Sequence, residues 1–170
     1  GVRSIENIQN LLKAGADKVS INSAAIKNPD IIKNSSKHFG SQCIVVAVDV
    51  KKENTSWKVH SHGGTKNTNI DALDWLKKVE DLGAGEILLT SMDKDGTKSG
   101  FDLEVLSRAN DLLSIPVIAS GGVGSIEHFY DGVKTGKADA LLAASVFHFN
   151  EFSIMDVKNY LKEKNIEVRI

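Results

Sequence analysis

The chain has 170 residues, of which 41% are hydrophobic and 25% charged, so we expect residues 1–170 to form one domain with its own core. Its 21 basic residues nearly balance its 22 acidic ones, so charge gives no argument for binding nucleic acid or a membrane surface. The single cysteine, Cys43, cannot form a disulfide within the chain, which fits a reducing compartment such as the cytoplasm. No run approaches the roughly 18 apolar residues that span a bilayer.

Short apolar runs alternate with longer amphipathic ones along the chain. The amphipathic runs predict helices at 4–14, 28–39, 70–82, 102–111, 125–135 and 152–164. The short runs predict strands at 18–22, 43–49, 86–90, 116–120 and 140–145. An insertion at 51–69 interrupts this rhythm, and the alternation in Trp57-Lys58-Val59-His60 predicts a short hairpin there. Strands that alternate with helices predict βαβ units and a parallel sheet.

One segment of the sequence nearly repeats after about 120 residues. GVRSIE at 1–6 returns as GVGSIE at 122–127, and the likeness continues to Ser23 and Ser145, each of which follows a strand. This period is about half of a (β/α)8 barrel, which runs to ~250 residues. We therefore predict an α/β TIM barrel of two similar halves, of which about strands 4–8 lie in this chain. A complete five-stranded flavodoxin-like sheet is the alternative.

The predicted strand ends carry small and polar residues, and in a barrel the carboxyl ends of the strands hold the chemistry. Ser120-Gly121-Gly122 follows one strand and Ala144-Ser145 the next, which brings backbone N–H groups together and predicts a phosphate site. The loop at Asp95-Gly96-Thr97 adds another N–H group. By the repeat, Gly1 with Asn22-Ser23 predicts a second phosphate site. The expected ligand therefore carries a phosphate at each end.

Asp49 ends the apolar run VAVD. Burying a carboxylate there costs several kcal/mol unless it is paired, so we predict that Asp49 is a general acid or base. A structural aspartate in a salt bridge is the alternative. By the repeat, a second carboxylate would lie on a strand before Gly1 and face Asp49, and paired carboxylates divide acid and base duties.

Other polar residues lie within the predicted strands and the hairpin. Alternation turns Lys18 and Glu86 toward the barrel axis at the starts of their strands, so they approach each other at the bottom of the barrel. They are either a buried ion pair or the lining of a passage for a small polar molecule. His60 and His62 would suit a metal, but no third ligand lies near them in sequence, so we predict a solvated hairpin and no metal site.

Several stretches together resemble a known family. They are GADKVSINSAA, FGSQCIVVAVDVKK, GAGEILLTSMDKDGTKSG, IASGGVG, ALLAASVFHF and NIEVRI. These stretches resemble the cyclase subunit of imidazole glycerol phosphate synthase, a lyase of histidine biosynthesis, and the resemblance covers essentially the whole chain. It implies a (β/α)8 barrel, in agreement with the repeat, and we expect no cofactor.

The resemblance also implies a reaction and a partner. The substrate is a bisphosphorylated aminoimidazole carboxamide ribonucleotide joined through a formimino link to a phosphoribulosyl group. Ammonia cleaves and cyclises this compound to imidazole glycerol phosphate and an aminoimidazole carboxamide ribotide. The ammonia comes from a glutaminase subunit, which forms a heterodimer with the cyclase and docks at the bottom face of the barrel.

The resemblance assigns roles to individual residues of this chain. Asp49 matches one of two catalytic aspartates, and the other belongs to a strand that the chain does not contain. Thr90 and Asp95 match positions that line the active site, and Lys18 and Glu86 match a charged gate for ammonia. The implied phosphate-binding residues are Gly1, Asn22 and Ser23 at one site and Gly96, Gly122, Ala144 and Ser145 at the other.

The chain departs from the family pattern at Gly1, which alone remains of a glycine-rich turn, and at Gly63, a position that is commonly polar. Three alternatives stay open: a sister isomerase with the same half-barrel repeat, a paralogue that amidates sugars with ammonia, and a non-catalytic module that binds a bisphosphate. The Lys18–Glu86 pair and the FHF-containing tail favour the cyclase. With one catalytic aspartate and unpaired sheet edges, we expect the 170 residues alone to be inactive.

Overall fold

The computed structural model describes residues 1–169, which form seven β-strands and eight α-helices. The strands are β1 Val19–Ile21, β2 Ile44–Glu53, β3 Ser56–Ser61, β4 Lys66–Asp71, β5 Glu86–Ser91, β6 Val117–Ser120 and β7 Ala140–Leu142. The helices are α1 Ile5–Lys13, α2 Ser23–Lys27, α3 Asp30–Phe39, α4 Ala72–Asp81, α5 Leu103–Leu112, α6 Glu127–Lys134, α7 Ser145–His148 and α8 Ile154–Glu163. Within residues 1–169, the helices are too short or too polar for any of them to cross a membrane.

Five parallel strands form a wall in which chain order is also spatial order. β1 pairs with β2, β2 with β5, β5 with β6 and β6 with β7, and every one of these pairs is parallel. A flavodoxin-like sheet has the order 2-1-3-4-5, so that alternative is wrong. The sequential order is the one found in a barrel wall, and the predicted α/β fold with strands alternating with helices is confirmed. The strands form part of a (β/α)8 barrel.

The insertion after β2 is a hairpin, as predicted, but it is larger than the sequence indicated. β2 continues past Asp49 to Glu53, and the antiparallel strands β3 and β4 extend the sheet from there. β4 takes residues 66–71, so the next helix begins at Ala72 rather than at residue 70. Asp71 fixes this start, because its carboxylate accepts hydrogen bonds from the amides of Leu73 at 3.1 Å and Asp74 at 3.5 Å.

The two faces of the parallel wall differ in burial. In β1, Val19 and Ile21 are buried while Ser20 is exposed, and in β5 Ile87 and Leu89 are buried beneath the helices. Alternate residues of β2 and β6 are buried with them, and helices α1, α3, α4, α5 and α6 cover this side. The predicted alternation is confirmed. The other face of the wall, toward the barrel axis, carries polar residues such as Glu86 and Thr90 together with apolar ones such as Val45 and Leu88.

Two short helices, α2 and α7, do not appear among the predicted elements. Each directly follows a strand, α2 from Ser23 after β1 and α7 from Ser145 after β7. The order α1–β1–α2 therefore recurs as α6–β7–α7, so the repeat in the sequence is also a repeat of structure. Helices of five and four residues are too short to show a periodic apolar face, which is why the pattern did not indicate them.

A glutamate on α4 ties this helix to the segment before β6. Glu80 accepts hydrogen bonds from the backbone amide and the hydroxyl of Ser114, both at 2.7 Å, and from Lys77 Nζ at 2.5 Å. Burial opposes ionisation of this carboxyl, but the hydrogen bonds from Lys77 and Ser114 outweigh it and lower the pKa of Glu80 to about 2. The charged form of Glu80 thus connects α4 to the loop that leads into β6.

We predict that Glu80→Gln lowers the free energy of unfolding at pH 7 by about 1–2 kcal/mol, because hydrogen bonds to a charged group are lost. Since folding lowers the pKa of Glu80 from 4.5 to about 2, its stabilisation is present above pH 4.5 and is lost as the pH falls toward 2. Urea denaturation of both proteins between pH 7 and pH 3 measures the difference, with Glu163→Gln at the exposed end of α8 as a control. A difference that is equally large at pH 3 contradicts this account.

Candidate active site

The carboxyl ends of the parallel strands bring the predicted site residues to one edge of the sheet. Asp49 on β2 lies beside Thr90 on β5, and Thr90 lies beside Ser120 on β6. Asn22 directly follows β1, on the other side of β2. Polar side chains thus lie in register across β2, β5 and β6, and Asn22 adds another at the end of β1.

Asp49 is buried, with 8% of its surface exposed. Its Oδ2 atom accepts a hydrogen bond of 3.0 Å from the Asn22 side-chain amide, and it forms no salt bridge within residues 1–169, so the salt-bridged alternative is wrong. Burial raises the pKa of the Asp49 carboxyl, and the charge of Asp95 raises it further, while the Asn22 hydrogen bond and His60 oppose this effect. A buried carboxyl with a raised pKa at the end of a strand is a candidate for proton transfer.

A cavity of about 1210 Å³ opens on one side of Asp49. It lies between the end of β1 and the β3–β4 hairpin, and the three residues predicted for the first phosphate site, Gly1, Asn22 and Ser23, all line it. The hairpin is joined to this site, because the backbone amide of His62 donates a 3.0 Å hydrogen bond to Ser23 Oγ. The cavity also has cationic residues that the sequence analysis did not select, namely Arg3, Lys27 and Lys66.

A second cavity, of about 200 Å³, lies on the other side of Asp49. The residues predicted for the second phosphate site, Gly96, Gly122, Ala144 and Ser145, line it together with Asp95. Gly122 has a φ angle of +101°, and a side chain there would meet the Gly100 carbonyl oxygen at 2.2 Å. The amide of Gly100 donates a 2.7 Å hydrogen bond to the Gly122 carbonyl, so the loop after β5 packs directly on the turn after β6.

Lys18 and Glu86 are paired at the opposite, amino end of the wall. Lys18 directly precedes β1, Glu86 begins β5, and the Lys18 ammonium group hydrogen-bonds the Glu86 carboxylate. These strands are not neighbours, because β2 runs between them, and Val45 of β2 is the register partner of Glu86. The ion pair therefore crosses over β2 on the axis side, where alternation places both side chains. The role of this pair as a gate stays a prediction.

One known protein family matches most of this chain. The model of a family described as histidine biosynthesis protein matches residues 1–153. The chain belongs to this family. Members of the histidine biosynthesis family are enzymes with a TIM-barrel fold, and they include both an isomerase and a cyclase. Membership therefore establishes the fold and the assignment to a histidine biosynthesis family. It is equally compatible with the isomerase and with the cyclase.

The prediction of a solvated hairpin is wrong for His60. Only 7% of His60 is exposed, and its Nδ1 lies 3.0 Å from the Gly64 carbonyl oxygen. In the ladder between β2 and β3 it is the direct partner of Asp49, so it faces the candidate site. Within residues 1–169, no group of three or more His, Cys, Asp or Glu side chains is arranged to hold a metal ion.

The sequence carried a weak signal for His60. Trp57 and Val59 are the apolar members of the alternating run and lie on the helix side, which leaves His60 for the axis side. To predict from this signal that His60 faces Asp49, one must know the register of β3 against β2. A sequence pattern does not show which residues pair across strands. Arg3, Lys27 and Lys66 gave no local signal, because isolated surface cations occur throughout the chain.

We predict that Asp49→Asn stabilises the protein at pH 7, because the uncharged amide removes the burial penalty while its oxygen still accepts from Asn22. Folding raises the pKa of Asp49 above 3.8, so its favourable contribution is complete below pH 3.8 and is lost as the pH rises through the folded value. Thermal unfolding should therefore show a higher Tm for the variant at pH 7, and a gain that disappears near pH 3. A variant that is less stable at pH 7 contradicts the assignment of Asp49 as a buried, penalised carboxylate.

Proposed function

We propose that this chain is the cyclase component of imidazole glycerol phosphate synthase, within the histidine biosynthesis family that the comparison establishes. The observation that carries this choice is the Lys18–Glu86 pair on the axis side of the wall, at the end away from Asp49. An isomerase acting on one bound substrate has no use for a polar passage at that end. A cyclase needs a route by which ammonia reaches the substrate from below.

The two cavities support a substrate with a phosphate at each end. They lie on either side of Asp49, one at the end of β1 and the other at the ends of β6 and β7. The first amides of a helix have no intrahelical acceptor, so those of Ser23 in α2 and Ser145 in α7 can bind phosphate oxygens, and glycines let the backbone approach closely. A bisphosphate bound in both cavities would cross Asp49 with its central, reacting part.

In this proposal Asp49 transfers protons in the cleavage and cyclisation steps. Burial raises the pKa of its carboxyl group, and the Asn22 side-chain amide donates a hydrogen bond that orients this group. Thr90 and Asp95 complete the surroundings of the reacting centre, Thr90 as the register neighbour of Asp49 and Asp95 from the loop after β5. Ammonia would enter past Lys18 and Glu86 and add to the substrate above them. The products are imidazole glycerol phosphate and an aminoimidazole carboxamide ribotide.

The proposal includes two components beyond the 170 residues. Five parallel strands cannot close a barrel of eight, so three further strands would complete the wall between β1 and β7 and supply the second aspartate. A glutaminase subunit would dock at the amino ends of the strands and deliver ammonia to the Lys18–Glu86 pair. Assays of the reaction therefore use this chain together with the three completing strands.

The sister isomerase is the second candidate, and one observation favours it. Both cavities and the buried Asp49 lie at the end of the wall where an isomerase would also bind a bisphosphate and move a proton. The two reactions differ in their need for ammonia. Ammonia dependence is therefore the property that separates them.

We predict that Lys18→Ala in the completed barrel lowers the glutamine-dependent reaction by about tenfold, or ~1.4 kcal/mol, because ammonia no longer passes efficiently from the glutaminase. The reaction with added ammonium salt should stay near the wild-type rate, since the chemistry at Asp49 is unchanged. Lys137→Ala is the matched control, because it removes an exposed ion pair, with Asp111, on the helix side. Equal loss with both nitrogen sources would show a structural ion pair, and product formation without any nitrogen source would favour the isomerase.

We predict that inorganic phosphate shifts the amide NMR signals of Gly122, Ala144 and Ser145, and that Gly122→Ala abolishes these shifts. The new side chain would meet the Gly100 carbonyl oxygen at 2.2 Å and displace the turn that lines the cavity. Gly15→Ala is the matched control, because its φ of +103° imposes a similar backbone strain with no atom within 4 Å. Phosphate that shifts other amides instead would contradict the assignment of this cavity.

A further inference from the structure

The loop after β5, residues 92–102, carries two residues of the candidate site. Asp95 and Gly96 line the second cavity, and the charge of Asp95 also acts on the Asp49 carboxyl. Residues 95–99 are all exposed, so packing on the core does not determine where these two residues lie. Their position therefore depends on the contacts at the two ends of the loop.

One pair of hairpin residues contacts both ends of this loop. Lys52 of β2 and Trp57 of β3 are register partners. At the first end, the backbone amide of Lys52 donates a hydrogen bond of 2.7 Å to Asp93 Oδ2. At the other end, Trp57 Nε1 donates a hydrogen bond of 3.1 Å to Asp102 Oδ2. Lys52 Nζ also lies 4.9 Å from the centroid of the Trp57 ring, so the residues that supply the two donors contact each other as well.

Asp102 joins three elements of the structure. Its Oδ2 also accepts a 3.1 Å hydrogen bond from Oγ of Ser91, the last residue of β5, and its Oδ1 accepts from the Val105 amide in α5 at 3.4 Å. Trp57 and Ser91 are only 1% and 2% exposed, so the donor of each needs an acceptor inside the protein. The Ser91 carbonyl oxygen in turn accepts from the Asp95 amide at 2.9 Å. A connected set of hydrogen bonds therefore runs from the hairpin through Asp102 to Asp95.

Capping of α5 does not by itself account for Asp102. An N-cap needs one oxygen that accepts from an amide of the first turn, and serine supplies it as well as aspartate does. Oδ1 of Asp102 has this role. Oδ2 instead bonds Trp57, which lies 45 residues away in the sequence, and the end of β5. The second oxygen thus connects the loop to the hairpin.

We propose that Asp93 and Asp102 are positioning residues of the candidate active site, because they fix both ends of the loop after β5 to the hairpin. The loop then holds Asp95 and Gly96 at the second cavity. The hairpin insertion thereby acts on a cavity that lies across Asp49 from its own turn. The proposal rests on the proposed function, since the placement of Gly96 matters only if this cavity binds phosphate.

NMR of the chain with inorganic phosphate tests the proposal. Asp102→Ser keeps an N-cap for α5 but is too short to reach Trp57 and Ser91. Asp102→Asn removes the charge but keeps an oxygen that can accept from both. Asp93→Ala changes the exposed first end of the loop. Asp111→Ala is the matched control, because it removes another exposed carboxylate from α5.

In Asp102→Ser we expect phosphate to bind about tenfold more weakly, measured from the amide shifts of Gly96 and Gly122, because the displaced loop no longer presents its N–H groups. The carboxyl ¹³C signal of Asp49 should titrate at lower pH, because the charge of Asp95 is no longer held near it. Asp93→Ala should change both measurements in the same direction. Asp102→Asn should recover most of the wild-type behaviour, and the control should keep all of it.

The indole ¹H–¹⁵N signal of Trp57 reports directly on the hydrogen bond to Asp102. It should move in Asp102→Ser, where the acceptor is gone. Trp75 is the internal reference, because its Nε1 is buried without a hydrogen-bond partner within residues 1–169, and its signal should stay in place. A Trp57 signal that does not move overturns the proposal, because the contact would then not exist in solution.

A purely structural role of Asp102 would lower the Tm and leave the phosphate affinity of the folded protein unchanged. Unchanged affinity together with an unchanged Asp49 titration in Asp102→Ser therefore overturns the proposal. An equal loss in Asp102→Asn overturns it too, because the effect would then come from the charge. If Asp102→Ser does not fold, the same two measurements in Asp93→Ala decide.

The outcome is distinguishable from a failure of the proposed function. If phosphate shifts none of the amides at the second cavity in the wild type, the proposed phosphate site fails. The Asp49 titration uses no ligand, so it still decides whether the loop is held as proposed. If phosphate binds equally well to the wild type and to Asp102→Ser, with the same Asp49 titration, the phosphate site stands and the positioning role is overturned.

Discussion

Strand β2 is the constraint on which the rest of the structure depends. Its first half pairs with β1 and its second half with β3 on one side, while β5 pairs along the other side. Ile44, Val46, Val48 and Val50 are fully buried against the helices, so the face of each β2 residue is fixed. A slip of one residue would turn these four side chains to the axis and carry Asp49 into the apolar layer. The register of β2 therefore determines both the packing of the core and the position of the candidate catalytic group.

Much of this arrangement could be predicted from local pattern. Alternation within β1 and β5 gave the faces of Lys18 and Glu86, and the repeat of GVRSIE gave the barrel rather than an open sheet. The phosphate-site residues followed from the places where apolar runs stop, since strand ends in a parallel sheet meet at one edge. These features depend only on neighbours in sequence or on a rule that holds for every parallel barrel.

The remaining features depend on contacts between distant residues. The prediction placed His60 in a solvated hairpin because no third metal ligand lies near it in sequence, whereas the pairing of β3 with β2 buries it. The length of β4 was missed because KNTNID contains few strand-forming residues and is held by its pairing with β3. In each case the environment is created by contacts with residues on another strand, which the local sequence pattern does not identify.

The candidate site contains buried polar atoms that have no hydrogen-bond partner within residues 1–169. Asp49 is buried, and the two side chains beside it leave polar atoms without partners, Oδ1 of Asn22 and Nε2 of His60. A sheet selected for stability alone would place apolar groups here, because buried unsatisfied atoms lower stability. Two further such atoms, Ser35 Oγ and Trp75 Nε1, lie on α3 and α4, so the cost is shared between the site and the helix layer.

The hairpin holds this unfavourable arrangement in place through contacts on both of its faces. On the helix side, Trp57 is buried, and its indole N–H donates to Asp102, which also accepts from Ser91 at the end of β5. At the turn, His62 bonds Ser23 beside the larger cavity. β3 is therefore anchored at both ends, with His60 between these contacts. An insertion that interrupts the βαβ rhythm thus supplies an anchored strand that pairs with β2 beside Asp49.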